Sequence, residues 1–196
     1  MIGIDVGGYK GKFISILHDL GCDKIYCFEP ESKFYELCVG VAEKLSPNFE
    51  VVKKCLYKDG TYQLNYDDDG SSIFIDSNTT TTVESVSIKT FAESKNINHI
   101  DYIKINCEGG EFQILNDMIE NDITFGEMFV QFHNNVEGDD VRDSLLKKLY
   151  DLGYSIFSHQ RWKDDNYVWW SVLHQNNNDI KLATSDLPIT TPQKFD

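Results

Sequence analysis

The sequence predicts an α/β protein built on a doubly wound, mostly parallel β-sheet. Along residues 2–152, short runs rich in β-forming residues alternate with runs whose apolar residues recur at helical spacing. This alternation is typical of parallel sheets with helices on both faces. Two last β-type runs, 154–158 and 167–173, are separated only by a polar turn at 163–165. They predict an antiparallel hairpin at one edge of the sheet.

Each predicted element rests on a local pattern. The strands are apolar runs rich in β-branched and aromatic residues, covering 2–6, 24–29, 49–56, 83–88, 101–107, 127–132, 154–158 and 167–173. The helices carry apolar residues three and four positions apart, covering 12–20, 31–45, 90–95, 111–119 and 140–152. Gly21 and Gly153 end two of these helices, and Pro47 closes a third. The polar interval 58–82 predicts a hairpin excursion with strands around Tyr62-Leu64-Tyr66 and Ile73-Phe74-Ile75.

Composition limits the classes of protein to consider. Of the 196 residues, 41% are hydrophobic and 26% charged, so we expect one globular domain over residues 1–175 and a loosely packed tail over 176–196. The net charge of −14 argues against a nucleic-acid partner, because phosphate binding needs a basic surface. No apolar run approaches the ~20 residues of a membrane span. The five cysteines lack C-x-x-C spacing, which favours reduced thiols in a cytoplasmic protein.

The first candidate site is the glycine turn, residues 5–11, which reads Asp5-Val6-Gly7-Gly8-Tyr9-Lys10-Gly11. It joins the first predicted strand to the first helix, where glycines let a ligand approach the backbone and free N–H groups face it. The spacing departs from the dinucleotide pattern G-x-G-x-x-G, which argues against a nicotinamide-dependent oxidoreductase. An acidic residue leading the turn suits a ligand with a cationic amine better than a pyrophosphate.

The second candidate is Glu29, at the end of the second predicted strand. An acidic residue about 20 positions after a glycine turn accepts hydrogen bonds from a ribose diol in nucleotide-binding sheets. The alternative is a surface glutamate that caps the following helix. Ligands of such sheets bind at the carboxyl ends of the strands, so we expect residues 106–111 and 131–135 to lie in the same site.

The third candidate is the segment Lys104-Ile105-Asn106-Cys107-Glu108-Gly109-Gly110-Glu111, where a buried strand meets two carboxylates at the head of a helix. Carboxylates are ordinary partners of a helix N-terminus, so this segment alone decides nothing. His133 follows the next strand, in Gln131-Phe132-His133-Asn134-Asn135. It is either a structural histidine or a catalytic one.

Together, D-V-G-G-Y-K-G, F-E-P and I-D-Y-I-K-I-N-C-E-G-G-E, in that order, resemble the FkbM family of S-adenosylmethionine-dependent methyltransferases. The family pattern runs D-V-G-A-N-x-G, E-P and K-I-D-x-E-G-x-E. Gly70-Ser71-Ser72 also resembles a Ser-rich segment of that family. The resemblance covers about residues 1–135 and implies a seven-stranded class I methyltransferase sheet of the Rossmann-like type with an antiparallel C-terminal hairpin. It also implies O-methyl transfer, often onto sugar or polyketide hydroxyls, with S-adenosylhomocysteine as the second product.

The resemblance implies roles for individual residues. The cofactor's methionine part would be surrounded by Asp5, Gly7 and Gly11, with Gly8 replacing the family's Ala, and its ribose held by Glu29. Further implied cofactor contacts are Ser72 and Asn106. The methyl-transfer site would be faced by Glu108 and Glu111. Asn106 stands where the family has Asp, so a charge is lost while the hydrogen-bonding geometry is kept.

Methyl transfer needs an oriented hydroxyl and a base for its proton. His133 or Glu108 is the predicted base, alone or through water. A divalent ion held by Glu108 with His133 or Asn134 is conceivable on ligand chemistry, but the sequence predicts no metal site.

The sequence therefore predicts an S-adenosylmethionine-dependent O-methyltransferase that acts on a sugar hydroxyl in a glycan or glycolipid. The alternative is a non-catalytic cofactor-binding or scaffold module of a larger glycan-building protein, motivated by Asn106. The first strand begins almost at Met1, which favours a domain cut from a longer polypeptide whose other domains would be its partners.

Overall fold

The computed structural model describes residues 1–65, 71–74, 79–161 and 168–175. Its strands are β1 (Ile2–Val6), β2 (Lys24–Phe28), β3 (Phe49–Val52), β4 (Cys55–Leu56), β5 (Gly60–Asn65), β6 (Thr80–Val86), β7 (His99–Ile105), β8 (Thr124–His133), β9 (Tyr154–Arg161) and β10 (Val168–Gln175). Its helices are α1 (Lys12–Asp19), α2 (Ser32–Leu45), α3 (Ile88–Lys95), α4 (Glu111–Glu120), α5 (Asn134–Glu137) and α6 (Asp139–Asp151).

The central sheet has seven strands in the order β3-β2-β1-β7-β8-β10-β9. The first five strands of that order run parallel to one another. Strand β10 runs antiparallel to both β8 and β9. The predicted doubly wound, mostly parallel sheet with an antiparallel C-terminal hairpin is therefore confirmed. Strand order reverses beside β1, and the cleft at the carboxyl ends of β1 and β7 is where such sheets bind ligands.

Apolar residues cover both faces of the sheet, and this is why the strands read as nearly continuous apolar runs. Along β2, Ile25 belongs to the cluster packed with α1 and α2, whereas Tyr26 belongs to the cluster packed with α3, α4 and α6. Ile14 and Leu17 of α1 are fully buried on the first face. The two layers of helices fix the sheet and hold its strand ends in place.

A second sheet of three strands, in the order β4-β6-β5, lies between β3 and α3 in the chain, and we call it the inserted sheet. Its existence corrects the prediction of one strand over 49–56. The chain bends after β3, where the Lys54 N–H donates to the Val52 carbonyl at 2.8 Å. Strands β3 and β4 therefore belong to different sheets.

The predicted hairpin within 58–82 was wrong in its pairing. Strand β5 pairs along its length with β6, whose first residues are Thr80, Thr81 and Thr82. Threonine is β-branched and favours strands, so this polar run extends the strand predicted at 83–88. Ile73 and Phe74 lie in a bend, and Ser72 forms only one antiparallel bridge, to Asn65.

Several predicted features lie outside the described residues: Tyr66, Ile75, the turn at 163–165, Tyr167 and the tail at 176–196. The domain boundary at 175 stays a prediction. Helix α5, of four residues, was missed because one turn is too short to show helical periodicity. Among the described helices, none is long and apolar enough to cross a membrane.

Candidate active site

The carboxyl ends of the central strands open on a cavity of about 680 Å³, within the range of small-molecule sites. Seven of the ten predicted site residues line it: Gly7, Gly8, Glu29, Ser72, Asn106, Glu108 and His133. The other three, Asp5, Gly11 and Glu111, lie behind the wall of the cavity. The structure thus brings the three candidate segments together. Some of their residues line the cavity, and the others lie behind the lining residues.

The glycine turn is held close to its neighbours and leaves no room for side chains at two positions. The N–H groups of Gly7 and Gly8 donate to the Phe28 carbonyl at 3.0 and 3.1 Å. Gly7 has φ +80°, and a Cβ there would lie 1.8 Å from the Asn106 carbonyl oxygen. A Cβ at Gly8 would lie 2.3 Å from the Cys27 sulfur. Glycine is therefore required at both positions for the turn to pack on β2 and β7.

Gly11 packs against α2 and does not line the cavity, and the cofactor role that the resemblance implies for it stays a prediction. It is the N-cap of α1 with φ +77°, and its Cβ position faces Val41 of α2 at 3.0 Å. Its N–H donates to the Gly8 carbonyl at 2.8 Å. Gly11 thus closes the turn against α2, on the side away from the cavity.

Asp5 lies beneath the glycine turn with no exposed surface. Its carboxylate forms an ion pair with Lys104 at 3.0 Å and accepts a hydrogen bond from the Cys27 thiol at 3.6 Å. Burial raises the pKa of Asp5, and the ammonium of Lys104 opposes that rise. Asp5 does not line the cavity, and the cofactor contact that the resemblance implies for it stays a prediction.

Glu29 lines the cavity and is 6% exposed. One carboxylate oxygen accepts the Tyr9 N–H at 2.8 Å and the other accepts the Glu31 N–H at 2.9 Å. Burial raises the pKa of Glu29 to about 7, although these two hydrogen bonds act to lower it. Helix α2 is capped by Glu31, whose side chain accepts the Phe34 N–H at 3.0 Å. The capping role considered for Glu29 therefore belongs to Glu31.

Glu111, His133 and Glu108 form a carboxylate–imidazole chain that reaches the cavity. The Glu111 carboxylate, fully buried at the start of α4, lies 2.9 Å from Nδ1 of His133. Nε2 of His133 lies 3.1 Å from the carboxylate of Glu108, whose side chain is 27% exposed. The Gly109 N–H donates to Glu111 at 2.9 Å and fixes its second oxygen. The chain therefore runs from a buried carboxylate to an accessible one.

The charge state of His133 follows from these contacts. Burial alone would lower the pKa of the imidazole, but hydrogen bonds to Glu108 and Glu111 outweigh it and raise the pKa to about 10. At neutral pH both ring nitrogens carry protons, which matches a carboxylate on each side. His133 is therefore a cation that orients two carboxylates, and its ring has no free lone pair for a substrate proton.

The backbone at Glu108 has an uncommon conformation, which a hydrogen bond from Ser72 stabilises. Glu108 has φ +53°, an uncommon conformation for a residue with a side chain. The Ser72 hydroxyl donates to the Glu108 carbonyl at 2.7 Å and accepts the Phe74 N–H at 3.1 Å. Ser72 lines the cavity, but these bonds make it a support for Glu108.

Asn106 ends β7 beside the glycine turn, and its N–H donates to the Val6 carbonyl at 3.1 Å. Its side-chain oxygen is buried and has no hydrogen-bond partner among the described residues. A buried amide oxygen without a partner is costly. This oxygen is thus a ready acceptor for a donor group of a ligand in the cavity.

Sequence reasoning missed the aromatic wall, which we define as Tyr57 and Phe74. Both line the cavity, with ring centroids 5.2 Å apart and ring planes perpendicular. Phe74 also packs near Gly109, where a Cβ would lie 2.8 Å from its ring. The only available signal was the apolar pair that follows Ser72, and nothing in the local sequence marked Tyr57.

The structure does not bring Asn134 together with Glu108 and His133 as ligands of one ion. The Asn134 amide donates to Asp139, and Asn134 does not line the cavity. Among the residues that the structure describes, no three His, Cys, Asp or Glu side chains are grouped to hold a metal ion.

The order of the seven strands, the glycine turn after β1 and the carboxylate after β2 together define a class I methyltransferase. The sequence matches the FkbM methyltransferase domain over residues 5–156. The chain belongs to the FkbM methyltransferase family, as the motif resemblance predicted. Among curated proteins, none matches it in sequence.

Solved structures are similar in fold. An rRNA methylase from Streptococcus thermophilus has a TM-score of 0.53 at 10% identity, over 89% of this chain and 86% of that one. TrmK from M. capricolum, in complex with S-adenosylhomocysteine, has a TM-score of 0.51 at 16% identity. That match covers 90% of this chain and 62% of TrmK. At these identities the likeness concerns the fold.

Proposed function

We propose that the protein is an S-adenosylmethionine-dependent O-methyltransferase that acts on a hydroxyl of a sugar in a glycan or glycolipid. The observation that carries the proposal is the carboxylate–imidazole chain, which delivers Glu108 to the cavity that the glycine turn and Glu29 also line. The residues that suit a nucleotide-type cofactor, the glycine turn and Glu29, therefore line the same cavity as Glu108, which suits a proton acceptor.

The cavity residues fit the cofactor. Glu29 would accept hydrogen bonds from the ribose diol, the backbone of Gly7 and Gly8 would lie along the methionine part, and Asn106 would accept from a donor group through its unpartnered oxygen. S-adenosylmethionine supplies an electrophilic methyl group and leaves as S-adenosylhomocysteine. TrmK, which shares the fold, holds S-adenosylhomocysteine in its structure.

The proton of the acceptor hydroxyl would pass to Glu108. That carboxylate is the exposed end of the chain, whereas His133 is already protonated at neutral pH and Glu111 has no accessible surface. Buried Glu111 fixes the tilt of the imidazole, and the imidazolium in turn fixes Glu108. Orientation of this kind is the main help that an activated donor needs.

Two observations support a sugar as the acceptor. The aromatic wall lines the same cavity as Glu108, and aromatic rings suit the apolar face of a sugar ring. The net charge of −14 disfavours a phosphate-rich acceptor. The unpaired state of all five cysteines supports the proposed cytoplasmic location.

The scaffold alternative keeps one observation in its favour, the amide at Asn106 where the family has a carboxylate. It predicts binding of the cofactor without turnover. The intact chain from Glu111 to Glu108 favours the enzyme, because a module that only binds has no use for an oriented base.

Calorimetric titration with S-adenosylhomocysteine tests the proposal, with Glu29→Ala as the matched variant. We expect micromolar binding by the wild type and loss of most of it in the variant. Sugar acceptors are then screened for methyl incorporation, with and without a chelator. Binding without turnover on any acceptor would favour the scaffold, and a folded wild type without binding would refute the cofactor assignment.

A further inference from the structure

Lys104 begins the Lys104–Glu111 segment, and its ammonium-bearing side chain lines the cavity. It is 7% exposed and lies on β7 next to the glycine turn. A buried ammonium is costly unless it is paired and hydrogen-bonded. Its partners therefore show what it does.

The ammonium of Lys104 has three N–H donors. It donates to the carbonyl oxygens of Val6 at 3.0 Å and Gly7 at 2.5 Å, and it forms an ion pair with the Asp5 carboxylate at 3.0 Å. All of these partners belong to the end of β1 and the glycine turn, so Lys104 holds this part of the chain together.

Both carbonyls belong to the residues at which β1 ends and the turn begins. Parallel pairing with β7 stops at the Val6–Ile105 pair, so the Gly7 carbonyl has no strand partner to orient it. Lys104 supplies that partner. Asp5, directly below, neutralises the ammonium and keeps it aimed at the two carbonyls.

We propose that Lys104 is a positioning residue that sets the shape of the glycine turn, with Asp5 as its buried counter-ion. Lys104 fixes the carbonyls of Val6 and Gly7. The peptide units of these carbonyls carry the N–H groups of Gly7 and Gly8, which are thereby directed toward the Phe28 carbonyl. The cavity wall is then formed before any ligand arrives. The consequence for cofactor affinity rests on the proposed function, whereas the effect on the free protein does not.

The experiment compares the wild type with Lys104→Met and with the double variant Asp5→Asn/Lys104→Met. Removing one partner of a buried pair leaves an uncompensated charge, so the single variant loses stability, while the neutral double variant regains much of it. Leu146→Ala is the matched control, because Leu146 is a buried residue of α6 that does not line the cavity. If the single variant does not fold, the double variant carries the test.

Amide hydrogen exchange of the free protein is the first measurement. In the double variant we expect the turn, residues 5–11, to exchange about tenfold faster than in Leu146→Ala. The Gly7 carbonyl has then lost its Lys104 donor, and the Val6 carbonyl keeps only the Asn106 N–H. Titration with S-adenosylhomocysteine is the second, and we expect about tenfold weaker binding despite the recovered stability.

Equal exchange of the turn in the double variant and in Leu146→Ala would overturn the proposal. So would wild-type affinity in a double variant of recovered stability. If the wild type itself gives no heat of binding, the proposed function fails, and the exchange result alone then decides the role of Lys104.

Discussion

Substitution of Gly7 by alanine tests the tightest contact of the site. With φ +80° at Gly7, a side chain costs about 1–2 kcal/mol through backbone strain alone. The added Cβ would also lie 1.8 Å from the Asn106 carbonyl oxygen, so the ends of β1 and β7 must separate. Separation weakens the hydrogen bond from Asn106 to Val6, worth about 1 kcal/mol. We expect a total loss of about 3 kcal/mol or more.

Gly153→Ala is the matched control. Gly153 follows α6 with φ +93°, and no atom of the described residues lies within 4 Å of its Cβ position. The Gly153→Ala variant therefore isolates the backbone strain from the steric clash. It should lose about 1–2 kcal/mol, or roughly 2–8 °C in Tm for a chain of this size. Urea unfolding measures both variants, and titration with S-adenosylhomocysteine should show weakened binding only in Gly7→Ala.

The reasoning about close packing would be refuted by two results together. These are an equal loss of stability in Gly7→Ala and Gly153→Ala, and an affinity of Gly7→Ala within about twofold of the wild type, a difference of only ~0.4 kcal/mol. The turn would then accommodate a side chain at Gly7 despite the distance of 1.8 Å to the Asn106 carbonyl oxygen.

Three other perturbations address the charged groups of the site. The pKa of Glu29 is raised to about 7, so affinity for S-adenosylhomocysteine should rise between pH 6 and 8 as the carboxylate forms; titrations at several pH values should show this trend flattened in Glu29→Gln. Glu111→Gln should lower kcat about 100-fold or more while leaving that affinity unchanged, since Glu111 orients His133 from outside the cavity; unchanged kcat in single-turnover assays would contradict the positioning role. The pKa of His133 is raised from 6.5 to about 10, so its contribution to stability is complete below pH 6.5 and is lost as the pH rises toward 10; urea unfolding should show this decline, reduced in His133→Gln.

Much of the fold could be predicted because both faces of the central sheet are buried. Burial on two sides makes strands such as β7 into continuous apolar runs, and the helices between them carry one apolar stripe each. The pairing of the inserted sheet escaped prediction because β5 and β6 are largely exposed, and β6 begins with three exposed threonines. In such strands, pairing depends on tertiary contacts more than on pattern.

The candidate site, like the fold, could be predicted only in part. Motif spacing predicted that Gly7, Glu29 and Glu108 would meet at the strand ends, and they line one cavity. Spacing could not tell which residues line the cavity and which lie behind it, because the complete burial of Asp5 and Glu111 depends on tertiary packing that the motif does not show. The charge of His133 was likewise out of reach, since it depends on two carboxylates distant in sequence.

The inserted sheet supplies part of the cavity wall, through Leu56, Leu64 and the aromatic wall, yet it contributes no strand to the central sheet. Leu56 belongs to the main core cluster, but Leu64 and the aromatic wall lie outside both core clusters. Substitutions at Leu64 and the aromatic wall therefore change the cavity without repacking the central sheet. Under the proposed function, the acceptor side of the site can vary in this way while the central strands that position the glycine turn and Glu29 stay the same.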